Sequence, residues 1–259
     1  MTEARTAIAF HDVSKSYGNA SPVLDRVSLE VREREFLAIV GPSGSGKTTL
    51  LRLVNRLIEP SSGTVRVEGR DVREQDAVGL RRRIGYVFQG VGLFPHMTVA
   101  ENIAITPKLL GMNRQLVTVL VDELLELVRL DRAEHRERYP LQLSGGEAQR
   151  VGVARALAAK PKIMLMDEPF GALDPLTREA LGRDYRRLHN ELGLTTVMIT
   201  HDTVEALLLA DRIAVMRAGR LIAEDTPRAL LGGEQDEYVR ELMATPRNQA
   251  ERLRALMEG

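Results

Sequence analysis

The sequence predicts an α/β fold: a single domain with buried parallel strands and a helical block inserted into it. Three observations lead there. An apolar run, Phe36 to Val40, passes into the glycine-rich stretch Gly41 to Thr49 and then into a helix-like run, Leu50 to Leu57. That is the strand–loop–helix order of a phosphate-binding turn. Two more short runs, Ile163 to Met166 and Thr195 to Thr200, are continuously apolar, as for strands covered on both faces. From about Thr98 to Leu143 the apolar spacing turns helical, which marks the inserted block.

The elements follow in order. Ile8 to Phe10 and Val27 to Val31 have the character of strands, with a clear alternation in the second, and Thr64 to Val67 and Ile84 to Phe88 are further strands. Within the helical block Leu116, Val119, Leu120, Leu124, Leu127 and Val128 form an i, i+3, i+4 stripe. After Ser144 a new helix begins, with Val151, Ala154, Leu157 and Ala158 on one face. Ile213 to Met216 and Arg220 to Ala223 are two strands joined by a turn at Gly219. The tail from Glu234 is polar and helical, and Pro246 is expected to break it. No linker divides the chain, so the domain is placed at 1–245, with the helical block at about 98–155 and a helical tail at 246–259.

Composition excludes several functions. Lys+Arg and Asp+Glu both number 36, so the basic excess of a nucleic-acid binder is missing. Trp is absent and aromatics are few, which argues against a base-stacking platform. There is no cysteine, so disulfides, zinc–thiolate sites and thiol catalysis are out and a reducing compartment fits. The first ten residues lack the apolar core of a signal peptide. No apolar run reaches the roughly eighteen residues of a membrane span.

The chemistry starts at Gly41, Pro42, Ser43, Gly44, Ser45, Gly46, Lys47, Thr48 and Thr49. Glycines let successive backbone N–H groups turn inward around an anion, and the helix N-terminus adds partial positive charge. Lys47 can reach the outer phosphates of a nucleoside triphosphate, and Thr48 can offer its hydroxyl to Mg²⁺. Asp167 ends an apolar run, placing it at the carboxyl end of a buried strand, where ligands bind in open α/β sheets. It is suited to hold Mg²⁺, directly or through water. Glu168, next in the chain, faces another direction and can polarise an attacking water. Leu143-Ser144-Gly145-Gly146-Glu147 is a second glycine-bearing helix start, with Ser144 as N-cap. One economical explanation is that it serves a different ATP molecule, held by a partner subunit.

Over nearly its whole length the chain resembles the ATP-binding subunits of ABC transporters. GPSGSGKTT is similar to their Walker A loop, IMLMDEP to Walker B and LSGGE to the signature, in the family's order and spacing. The resemblance assigns further residues. Gln89 matches the Q-loop glutamine, a Mg²⁺ or water ligand, and Ala172-Leu173-Asp174 matches the D-loop. His201, alone among the five histidines in ending an apolar strand, matches the switch histidine. Tyr17 matches the aromatic that stacks on adenine. Glu147 departs from the usual glutamine without disturbing Ser144, Gly145 or Gly146. His11, His96, His135 and His189 are left to surface or capping roles.

The resemblance implies a P-loop NTPase of the ABC ATPase type: a RecA-like core with an antiparallel β subdomain and a helical subdomain. It implies catalysis by Glu168, His201, Lys47 and Gln89, with ATP and Mg²⁺ in a head-to-tail dimer of this or like subunits. It also implies separate membrane permease subunits, contacted through about Gly90 to Met97, and an extracytoplasmic solute-binding protein served indirectly. The chain would then sit at the cytoplasmic face of the membrane. The wording FQGVGLFPHMTVAENIAITPKLLGM with MDEPFGALDPLTR resembles importers of osmoprotectants such as glycine betaine and choline. Polyamine, sulfonate and amino-acid importers are the near alternatives, and a soluble ABC ATPase outside transport is a remote one. The stretch after Pro246 leaves little room for the regulatory modules some of these subunits carry, so regulation by such a module is not expected.

Overall fold

β1 (Thr6–Lys15) and β2 (Leu24–Arg32) pair antiparallel and bury Ile8, Phe10 and Val13 with Leu24, Val27, Leu29 and Val31. The computed structural model describes residues 5–18, 21–90, 92–171, 173–232 and 236–258. Val91, Ala172 and Glu234, each part of a segment singled out above, lie outside them. Next come β3 (Phe36–Val40) and α1 (Lys47–Val54), which ends short of Leu57. β4 (Ser62–Val67), β5 (Arg70–Asp71), α2 (Ala77–Arg83) and β6 (Ile84–Val87) follow. The inserted block is α3 (Val99–Leu109), α4 (Arg114–Leu127), α5 (Arg132–His135) and α6 (Gly145–Leu157). The chain returns as β7 (Ile163–Asp167), α7 (Pro175–Leu192), β8 (Thr195–Ile199) and α8 (Thr203–Leu209). It finishes with β9 (Arg212–Arg217), β10 (Arg220–Asp225), α9 (Pro227–Gly232) and α10 (Glu237–Glu258).

Among the described residues the strands form two sheets. One is antiparallel, in the order β2-β1-β4-β5; the other runs β10-β9-β3-β8-β7-β6 and is parallel except at β10. β3 is buried at every residue, and alternation sends its side chains to two different cores. Phe36, Ala38 and Val40 join a core with α3, α4, α6 and α7, whereas Leu37 and Ile39 join one shared by α1 and the antiparallel sheet. The parallel sheet is therefore the middle layer, and its apolar runs reflect burial from both sides. No helix of the described residues is long and apolar enough to cross a membrane.

Three sequence expectations need correction. The buried stripe of α4 is Val117, Leu120, Val121, Leu124 and Leu125, while Leu116 and Val119 are exposed. α10 runs continuously through Pro246. His135 and His189 are buried rather than superficial. His189 lies on the inner face of α7, tilted against Phe36, with Nδ1 2.9 Å from Thr196 Oγ1, which also bonds Tyr185 Oη at 2.8 Å.

Burial, seconded by the Arg186 charge, pushes His189 down to about 4. A depressed native value means that the unfolded chain takes up the proton first as pH falls below about 6.5. The protein should therefore lose roughly 2 kcal/mol, allowing for screening, between pH 6.5 and 4 on account of this ring. Thermal melts at pH 7.5 and 5 should show that loss in the parent and a smaller one in His189→Gln. Equal losses in both would assign the acid sensitivity elsewhere.

Candidate functional site

The site is built where β3, β8 and β7 end side by side. After β3 the chain turns through the glycine loop, and Gly46 takes φ +97° as the N-cap of α1, with no side-chain cap. A Cβ there would come within 2.6 Å of Leu24 and 2.7 Å of the Val23 carbonyl, so only glycine fits. The first N–H groups of α1 consequently face the loop. Lys47 Nζ donates to the carbonyl oxygens of Gly41 at 2.8 Å and Pro42 at 2.9 Å. Burial holds this ammonium below the usual lysine range, against the pull of Glu168 and Asp167. Ser45 Oγ is buried without a hydrogen-bond partner. An orphaned hydroxyl beside a buried ammonium and a helix N-terminus fits an anion such as a phosphate.

Thr48 Oγ1 donates to Asp167 Oδ1 at 3.1 Å. Burial raises the Asp167 pKa, and the Thr48 bond works in the opposite sense. Glu168 leaves the strand with a left-handed backbone, φ +47°, and its N–H donates to the Ile199 carbonyl at 2.9 Å. This turns its carboxylate away from Asp167's direction. Glu168 Oε2 accepts from Gln89 Nε2 at 2.9 Å and lies 3.5 Å from His201 Nδ1. Gln89, Glu168 and His201 thus meet, although they are distant in sequence. Gln89 is bonded to the carboxylate of Glu168 rather than to Thr48 or Asp167, the other residues assigned to the metal. Tyr17, half exposed two residues past the end of β1, carries Lys15 Nζ 5.1 Å from its ring centroid. Leu24, paired with Lys15 across the hairpin, packs on Gly46 and so joins that edge to the loop.

The second glycine-bearing start lies apart. Ser144, Gly145 and Gly146 line a groove of about 420 Å³ with Glu147, Arg150, Leu173, Asp174 and Thr177 and no residue of the glycine loop. Asp174 caps α7, its Oδ1 accepting from the N–H groups of Leu176 and Thr177. Gly146 is close enough to Thr177 that a Cβ would sit 2.9 Å from its methyl group. Arg150 and Thr177 were not legible as groove residues, because they come from the second turn of one helix and the first turn of another.

The segment after Gln89 is fastened from the helical block. Asn102, fully buried, accepts from the Phe94 N–H at 2.8 Å and donates to the carbonyls of Phe94, Met97 and Thr98. Arg155 of α6 donates to the Gly92 carbonyl at 2.7 Å and stands over the Phe94 ring. Both residues escaped the sequence reading. An asparagine inside the apolar stretch Asn102 to Ile105 was the available signal, since buried amides need partners.

A family model described as ABC transporter matches residues 24–171. The chain belongs to the ABC transporter family. It is 46% identical over 240 residues to the choline transport ATP-binding protein OpuBA of Bacillus subtilis (strain 168), covering 93% of this chain and 63% of that protein. It is 47% identical over 234 residues to the glycine betaine uptake system ATP-binding protein YehX of Escherichia coli (strain K12), covering 90% and 75%. The chain spans about three-fifths of the length of several such relatives. Among solved structures, the dimeric post-hydrolysis state of the ATP-binding cassette MJ0796 bound to ADP and Pi superposes with a TM-score of 0.78 at 34% identity, covering 85% of this chain and 99% of that one. The fold is that of an ABC ATPase cassette, with two sheets and a helical block between β6 and β7.

Proposed function

We propose that the chain is the ATP-hydrolysing subunit of an ABC importer for a small quaternary-amine osmoprotectant such as glycine betaine or choline. The observation that carries the chemistry is the meeting of Glu168 with Gln89 and His201 beside Lys47 and the Thr48–Asp167 pair. Lys47, Ser45 and the α1 N-terminus bind the β- and γ-phosphates of ATP. Tyr17 stacks on the adenine. Glu168 takes the proton of the attacking water, while His201 orients that water and the γ-phosphate. The oxygens of Thr48 and Asp167, 3.1 Å apart, suit a hard cation; they would hold Mg²⁺, with Gln89 nearby, to neutralise phosphate charge. Ser144, Gly145, Gly146 and Asp174 complete the site of a second copy, so that two ATP molecules are shared across a head-to-tail dimer.

The segment Gly90 to Met97, held by Asn102 and Arg155 with Phe94 part-exposed, is the surface for separate permease subunits at the cytoplasmic membrane face. A solute-binding protein delivers cargo to those subunits. The cargo assignment is supported by what the relatives are named to transport. It is tested by purifying the chain with the membrane and binding proteins that accompany it. Choline or betaine should stimulate ATP turnover of the reconstituted assembly. Stimulation by a sulfonate, a polyamine or an amino acid instead would overturn the cargo and leave the ATPase assignment standing.

A further inference from the structure

Glu147 is the third residue of α6, and both of its carboxylate oxygens are engaged. Oε2 accepts from the Ser144 N–H at 2.7 Å, and Ser144 Oγ accepts from the Glu147 N–H at 3.3 Å, closing a capping box. Oε1 lies 3.0 Å from His135 Nε2. The other ring nitrogen, Nδ1, lies 2.9 Å from the carbonyl oxygen of Asp131. A carboxylate and a carbonyl oxygen only accept, so the ring satisfies both contacts at once only as an imidazolium, with both nitrogens donating. His135 is 6% exposed, so this charge sits out of water and needs its partner.

The arrangement answers a problem that glutamine would not create. Glu147 puts a negative charge at a helix start that otherwise favours anions. It also grips the backbone of Ser144, whose side chain lines the groove. We propose that His135 is a positioning residue for this half-site: its imidazolium neutralises and orients Glu147, keeping Ser144 and the α6 N-terminus receptive to a phosphate. This rests on the shared-site reading above.

The electrostatics agree in direction. Burial alone would lower the His135 pKa, but the bonds to Glu147 and Asp131 and the charges of Glu134 and Glu147 outweigh it and leave it raised. Glu147 is drawn down to about 2, first by the His135 bond and then by the two Ser144 bonds. The other charges around the ring are largely paired. Glu134 bonds Arg138, Arg136 bonds Asp122 of α4 with Arg132 near by, Asp131 caps α5, Glu101 caps α3, and Arg150 bonds the Val128 carbonyl. A raised histidine supports the site fully below its ordinary value and ceases to do so as pH rises through the folded value.

The test is ATP turnover of the full chain against pH in four forms: parent, His135→Gln, Glu147→Gln and the double variant. At neutral pH His135→Gln should lower turnover about ten-fold, the scale of one unneutralised charge near the phosphate, without weakening ATP binding to the glycine loop. In the Glu147→Gln background the same change should cost little, so the double variant recovers what the single one loses. The parent should show an alkaline limb that Glu147→Gln lacks. An equal cost in both backgrounds, parental turnover in His135→Gln, or an identical alkaline limb in parent and Glu147→Gln would each overturn the proposal. The pH comparison stands even if His135→Gln fails to fold. An active Ser144→Arg would defeat the shared-site reading instead; an inactive one with uncoupled His135 and Glu147 would remove this inference alone.

Discussion

Replacing Glu168 by glutamine is expected to leave ATP binding intact and lower steady-state hydrolysis by about 10²- to 10⁴-fold, the usual contribution of a positioned general base. Glutamine keeps the length of the side chain and can still face Gln89 and His201, which lie 2.9 and 3.5 Å from Glu168 Oε2. It cannot take a proton from water. It also tolerates the left-handed backbone at this position no worse than glutamate does. With hydrolysis blocked, ATP should hold two copies together, so size-exclusion in ATP should show a dimer that the parent passes through only briefly. Nucleotide titration, phosphate release and elution volume check the three parts. Hydrolysis at the parental rate would mean that Glu168 is not the base.

Ser144→Arg should abolish hydrolysis, by about 10²-fold or more on the scale of losing one oriented phosphate donor, while each chain still binds ATP. The groove at Ser144 contains none of the glycine-loop residues, so an arginine there removes the hydroxyl donor from its half-site without touching Lys47. Mixing Ser144→Arg with Lys47→Ala should recover part of the activity, because one of the two shared sites in the mixed dimer is then intact. Normal turnover in Ser144→Arg, or no recovery on mixing, would count against a site built from two chains.

The residues proposed for the phosphate chemistry were legible because each sits at the end of a locally recognisable element. Lys47 follows an apolar strand and a glycine loop, Asp167 and Glu168 end another apolar run, and His201 follows a third. What escaped depends on neighbours distant in sequence. In α4 the apolar residues come in adjacent pairs, Leu116-Val117, Val119-Leu120 and Leu124-Leu125, so two stripes one residue apart fit the helical period equally well. Packing against α3 and α6 selects one of them. His189 and His135 had the marks of surface residues because their partners, Thr196 on β8 and Glu147 on α6, lie on other elements. Pro246 was expected to stop a helix. It removes one hydrogen bond, and α10, anchored ahead of it by buried Val239 and Met243, continues regardless.

The strand order also has a kinetic consequence. β3, β8 and β7 are neighbours in the sheet, yet the whole helical block is threaded between β6 and β7 and most of the chain lies between β3 and β8. Closing such long loops costs entropy before any strand contact repays it, which makes parallel sheets of this kind slow to form. Lys47, Asp167 and His201 come together only when those central strands have paired. On the proposed function, nucleotide binding would then be a late event in the folding of the chain, and capture of ATP would report that the middle of the sheet has closed.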